Sequence, residues 1–198
     1  PADREYLKAV RELCDKNDIM LLFDEVQCGM GRTGSFFAWQ SFGVEPDALS
    51  MAKALGNGYP IGAMVAKRKY SQVLTPGTHA STFGGTALAS AAACAVIDAI
   101  DNEKVLDNVV KQSKVLMDGI AELSKKYPCI QGVRGKGLMV GAAQPAGKVL
   151  SILRGKGMIA LSAGENVLRL VPPLNVSGDE CRKALELIDS AFAELCSK

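Results

Sequence analysis

Ile19-Met20-Leu21-Leu22-Phe23-Asp24-Glu25-Val26-Gln27 runs through five apolar residues and closes on two carboxylates. A strand with one wet face alternates; an unbroken apolar run reads as a strand buried on both faces of a parallel sheet, with Asp24 at its carboxyl end. Ligands of open α/β sheets bind at that edge. A carboxylate there is costly unless a cation or several donors meet it. On the residues alone, Asp24 is either the partner of a cationic ligand group or a strand-end carboxylate that caps a loop, and Glu25 can be a salt-bridge partner beside it.

Working outward, Asp3 can cap a helix to about Lys16 with Tyr6, Leu7, Val10 and Leu13 on one face, which makes a helix-strand unit. A glycine-rich loop spans Gly29 to Gly34, and a short amphipathic turn spans Phe36 to Phe42. Further strands are expected at Ala48 to Ala52 and Ile61 to Ala66. Helical periodicity follows from Ala87 to Ile100 and from Glu103 to Lys126. After Tyr127-Pro128 the texture becomes short strands (Ile130 to Val133, Leu138 to Ala142, Met158 to Leu161, Val167 to Leu170), a helix near Ala146 to Lys156 and a last helix from Asp179. The fold class is α/β, and 128–198 reads as a small α+β domain.

The second chemical segment is Ser50-Met51-Ala52-Lys53-Ala54-Leu55-Gly56-Asn57-Gly58-Tyr59-Pro60. Taken alone, Lys53 is a solvated loop lysine. An amine held among apolar and small neighbours loses hydration, which disfavours its charged form and makes it a nucleophile toward carbonyl compounds. A Schiff-base lysine together with a carboxylate that can meet a protonated pyridine nitrogen points to pyridoxal 5'-phosphate.

Composition bounds the alternatives. The chain has 198 residues, ordinary apolar content and a formal charge of +2, which indicates neither a nucleic-acid nor a membrane partner. Cys14, Cys28, Cys94, Cys129, Cys181 and Cys196 form no C-x-x-C pair and His79 is the single histidine, so no metal site is expected. Scattered cysteines of this kind read as reduced thiols of a cytoplasmic protein. The segment Ala87 to Ile100 is too short to span a bilayer.

Leu22-Phe23-Asp24-Glu25-Val26-Gln27-Cys28-Gly29-Met30-Gly31-Arg32-Thr33-Gly34, then Val44-Glu45-Pro46-Asp47, then the lysine segment, resemble the class III pyridoxal-phosphate aminotransferases over nearly the whole chain. The resemblance implies a fold-type I transferase, of which 1–127 would be the C-terminal part of the large cofactor-binding domain, with its mixed sheet and helices. Lys53 would bind the cofactor and act in catalysis, Asp24 would meet its pyridine nitrogen, Val26 would press on the ring and Gln27 would bond its phenolic oxygen. The residue-level alternative for Val26 is core packing. Alternation along an extended segment would put Asp24 and Val26 on one side.

In Ser81-Thr82-Phe83-Gly84-Gly85 the resemblance implies that Thr82 reaches the cofactor phosphate of a neighbouring subunit, making the active unit a homodimer, with Ser81 at the substrate. Thr86-Ala87 departs from the Asn-Pro more common after those glycines. Arg169, in Asn166-Val167-Leu168-Arg169-Leu170-Val171-Pro172-Pro173-Leu174, matches an arginine that grips a substrate carboxylate; the residue-level alternative is a surface arginine on an edge strand. Arg134 reads as structural and His79 as a loop residue.

The implied activity is transfer of the terminal amino group of N-acetylornithine to 2-oxoglutarate in arginine biosynthesis. Details of Gly29 to Gly34 and Gly58-Tyr59-Pro60-Ile61-Gly62-Ala63 favour that donor over ornithine, 4-aminobutyrate or succinylornithine. Family subunits are longer, and the chain resembles their C-terminal half, without the upstream phosphate loop and ring-stacking aromatic. A weakly active or noncatalytic, self-associating fragment is the reading of another class. Gly141-Ala142-Ala143-Gln144-Pro145-Ala146 is expected to be a trimmed surface connection.

Overall fold

The computed structural model describes residues 1–144 and 146–196. Pro145, within the expected trimmed connection, lies outside the described residues. The chain packs as two compact units, 2–106 and, together with Pro1, 107–198. The change falls inside one long helix rather than at a loop.

In the first unit α1 (Arg4–Lys16) starts where Asp3 Oδ1 accepts the Glu5 amide at 2.8 Å and the Tyr6 amide at 3.3 Å. These bonds satisfy donors that the first helical turn leaves open. Then come β1 (Leu22–Asp24), α2 (Ala38–Phe42), β2 (Ala48–Met51), a 3-10 turn at Lys53–Leu55, β3 (Ala63–Ala66), α3 (Arg68–Ser71) and α4 (Ala87–Asn102). The sheet runs β1-β2-β3: β1 is parallel to β2 with Asp24 opposite Ser50, and β3 is antiparallel to β2 with Met64 opposite Ser50.

Asp47 ties this unit together. Its carboxylate takes the Leu21 amide at 2.9 Å and Arg11 of α1 at 2.8 Å, with Lys67 at 3.5 Å. Its backbone bonds Leu21 on one side and Lys67 on the other, each at 2.8 Å. One side chain thus fixes helix, parallel pair and third strand. The core beneath comprises Met30, Leu49, Met51, Leu55, Ala93 and Ile100, so α4 packs under the lysine turn. Met30 sits there at the tip of the glycine loop, with a left-handed backbone at φ 53°.

The expectation that β1 is buried on both faces does not hold within this unit. Ile19 and Met20 precede the strand and are exposed, and Leu22 keeps 46% of its surface. β2 alone has strands on both sides, and it is buried at Ala48, Leu49 and Met51. The apolar run reports what these faces prefer to touch, not what this unit supplies.

The second unit takes most of α5 (Val105–Lys126), then β4 (Gly132–Lys136), β5 (Met139–Ala143), α6 (Ala146–Gly155), β6 (Leu161–Ser162), β7 (Val167–Leu170) and α7 (Gly178–Cys196). Its antiparallel sheet runs β4-β5-β7-β6. Leu116, Ile120, Leu138, Val149, Leu153, Leu168, Ile188 and Phe192 are fully buried between sheet and helices. A Cβ on Gly119 would lie 2.3 Å from Leu185 Cδ1, so the missing side chain lets α5 and α7 approach. No described helix is long and apolar enough to cross a membrane.

Candidate active site

Asp24 ends β1, and Lys53 follows β2 by two residues; because these strands are parallel neighbours, both side chains belong to the same carboxyl edge. Asp24 is exposed. Its Oδ1 accepts the Val26 amide at 3.0 Å and the Ser50 hydroxyl at 3.4 Å, while Oδ2 accepts no hydrogen bond among the described residues. Half the carboxylate is thus oriented and half is open to a donor. The first bond also corrects the expectation of alternation: the chain leaves the strand at Asp24, and Val26 lies in a turn held by Asp24 itself. Val26 is half-buried and Gln27 exposed.

Lys53 stands in a left-handed conformation, φ 45°, at the start of the 3-10 turn, with Leu55 buried as its anchor. Ala52 before it has an extended φ of −162°, so the backbone reverses sharply and the lysine leaves the strand line. The turn closes through Leu55 to Ala52 at 2.9 Å and Gly56 to Lys53 at 3.2 Å. A Cβ on Gly56 would lie 2.0 Å from the Tyr59 carbonyl oxygen, so the close return of 56–59 requires glycine. The Lys53 side chain is exposed; apolar neighbours within this chain do not desolvate it.

Glu25, which in sequence can be a salt-bridge partner, has another role in the structure. It is 2% exposed, and its two oxygens accept the Ala38 amide at 2.7 Å and the Trp39 amide at 2.9 Å. It therefore closes the start of α2 rather than pairing with a cation. Gly29 fits against it, since a Cβ there would meet the Glu25 carbonyl at 2.8 Å. Ser50 is the site residue to which sequence reasoning gave no role, and aligning the two strands in parallel register would have found it opposite Asp24.

Ser81 and Thr82 lie in an exposed loop of the same unit. Ser81 Oγ accepts the Gly84 amide at 3.0 Å, which shapes the glycine turn. The Thr86 that departs from the usual pattern caps α4, its hydroxyl accepting the Ala89 amide at 3.4 Å. His79 is exposed in this loop, and Arg134 is exposed on β4.

Arg169 belongs to the second unit. β7 lies between β5 and β6, so the edge-strand alternative fails: Gly141 and Leu161 flank the arginine. It borders a depression of about 340 Å³ whose other walls include Leu116, Ile159, Leu170, Pro172 and Ala184. Its Nε is buried without a hydrogen-bond partner among the described residues. An unmet guanidinium donor among apolar walls suits a carboxylate.

A carboxylate and an amine at the carboxyl ends of a parallel pair can meet a cationic and a carbonyl group of one ligand. The chain belongs to the class-III aminotransferases, whose family model, Aminotransferase class-III, matches residues 1–192. Its fold is accordingly that of fold-type I pyridoxal-phosphate-dependent transferases. It is 47% identical over 195 residues to the acetylornithine aminotransferase of Clostridium acetobutylicum, covering 97% of this chain and 50% of that protein. Among solved structures it resembles the N-acetylornithine aminotransferase of Stenotrophomonas maltophilia (TM-score 0.91, 40% identity, 100% of this chain and 53% of that one). It also resembles the Toxoplasma gondii ornithine aminotransferase, described with partial occupancy of pyridoxal phosphate (TM-score 0.90, 34% identity, 96% and 46%). The chain thus spans about half the length of the relatives it matches.

The residues present fit that cofactor. Lys53 offers an accessible amine and Asp24 a carboxylate oxygen with room for a protonated ring nitrogen.

Proposed function

We propose that the protein containing this chain is a pyridoxal-phosphate-dependent aminotransferase that moves the terminal amino group of N-acetylornithine to 2-oxoglutarate. The observation that carries this reading is the parallel pairing that puts Asp24 and Lys53 on one sheet edge. When bound, the cofactor supplies an aldehyde that bonds amines covalently and a ring that accepts the electron pair released at the substrate carbon. Asp24, its carboxylate oriented by the Val26 amide and the Ser50 hydroxyl, would keep a pyridine nitrogen protonated. Lys53 Nζ would take a proton from the substrate carbon as general base and give it back as general acid. Val26 would pack on the ring and Gln27 would bond the phenolic oxygen; Arg169 would grip a substrate carboxylate in both half-reactions, and Ser81 is assigned to the substrate.

We assign Thr82 to the phosphate of a neighbouring subunit, which makes the unit a homodimer. The protein belongs in the cytoplasm, in keeping with six free cysteines. Domain division at 127/128 belongs to the same reading. Exposure of Lys53 favours a second statement: the 198-residue chain by itself is weakly active or inactive, because nothing described in its unit excludes water from the amine.

Borohydride reduction with pyridoxal phosphate, followed by peptide mapping, tests the cofactor assignment. A single adduct on Lys53 is expected; adducts spread over many lysines would sink it. A substrate panel on the longer protein tests the donor, and preference for 4-aminobutyrate or ornithine would replace N-acetylornithine.

A further inference from the structure

The Sγ atoms of Cys129 and Cys196 lie 3.8 Å apart although 67 positions separate them, and both thiols are free. Their approach is set by one face of α7, on which Asp189, Phe192 and Cys196 follow at spacings of three and four. Asp189 accepts Lys126 Nζ at 2.7 Å and the Tyr127 hydroxyl at 2.6 Å. Phe192, fully buried, stacks on Tyr127 with ring centroids 5.7 Å apart. Cys196 meets Cys129 one turn further on. Packing of residues 126 and 127 against Asp189 and Phe192, in the turns of α7 before Cys196, therefore holds the thiols together, and no other pair of thiols is in contact among the described residues.

We propose that Cys129 and Cys196 are a modification site, a dithiol that a small-molecule disulfide such as oxidised glutathione converts reversibly into an intramolecular disulfide. Cys196 is exposed, so its thiolate attacks one sulfur of the external disulfide; a mixed disulfide forms at Cys196 and one small thiolate leaves. Cys129 then loses its proton to solvent and attacks Cys196 Sγ, forming the Cys129–Cys196 bond and expelling the second small thiolate. The protein gives up two electrons and two protons, and the external disulfide is reduced to two thiols. Burial first, then the neighbouring Cys196, pushes the Cys129 thiol above its ordinary range, so the second step is slow and accelerates as pH rises. The product staples the end of α7 to the turn between α5 and β4.

The test is to incubate the full chain with oxidised glutathione, block remaining thiols by alkylation, digest with trypsin and map by mass. A cross-link between peptides 127–134 and 184–198 is expected, reversed by dithiothreitol. Cys129→Ser should retain glutathione on Cys196 at a level about tenfold above the wild type, since it lacks the resolving thiol. Equal retention in both proteins, or cross-links that involve only other cysteines, would overturn the proposal. The wild-type cross-link reads independently of how well the variant folds.

Discussion

At Glu25 a carboxylate that stands next to the ligand edge serves the backbone instead, giving both oxygens to the start of α2. Replacing it with alanine strands the buried Ala38 amide and the part-buried Trp39 amide, and Glu25→Ala should cost about 2 kcal/mol in urea unfolding. Gly56 is constrained as tightly, because a Cβ there would overlap the Tyr59 carbonyl. Gly56→Ala should lose about 2 kcal/mol and disturb the turn that carries Lys53. Lys53→Ala behaves oppositely: its side chain is exposed, so stability should stay within about 0.5 kcal/mol while the borohydride adduct disappears. A variant that fails to fold would contradict this. Glu25 and Asp24 look alike in sequence; distinct roles arise because the strand ends between them and only Glu25 turns under the loop.

Among elements, α1, α4, α5 and β7 were legible because capping residues and hydrophobic spacing are local signals. The 3-10 turn at Lys53–Leu55 and the short α3 were not, since neither carries a repeat long enough to register a period. β1 was assigned to the right place for a reason that this unit does not satisfy. Asp47 binds the elements of the first unit and gives it an acid-sensitive joint. Burial alone would push its carboxyl up, but the Leu21 amide, Arg11 and Lys67 together hold it below the ordinary range. A lowered folded-state value means that the stabilisation is fully present above the ordinary aspartate value of about 3.9 and is lost as pH falls through the lower folded value. Asp47→Asn should therefore lose about 2 kcal/mol at neutral pH and show a flatter decline in Tm on acidification; Arg11 retains 17% exposure, which moderates the loss. An unchanged acid profile would remove Asp47 from this role. In the second unit, Phe192→Ala should cost about 4 kcal/mol by opening a cavity against Tyr127.

For the whole chain, the exposed apolar residues Ile19, Leu22, Met64 and Val65 on and beside the outer strands of the first sheet are uncovered within their unit. Surfaces of this kind associate. The chain by itself should sediment above its monomer mass of 20.9 kDa at micromolar concentration and bind a hydrophobic dye, whereas the longer protein should bind less dye per chain. A strictly monomeric, dye-silent chain would refute this.

The family was determined by the sequence itself, because Asp24 to Gly34 and the lysine segment carry unusual residues in fixed order, and chemistry of that kind survives without coordinates. The longer helices followed from period and caps, which depend on near neighbours. Tertiary structure alone decided that Glu25 feeds α2, that Ser50 faces Asp24, that Asp47 joins three elements, and that β7 lies inside its sheet. It alone brought Cys129 to Cys196. Each of these depends on pairing or packing between residues far apart along the chain, which local sequence patterns do not record.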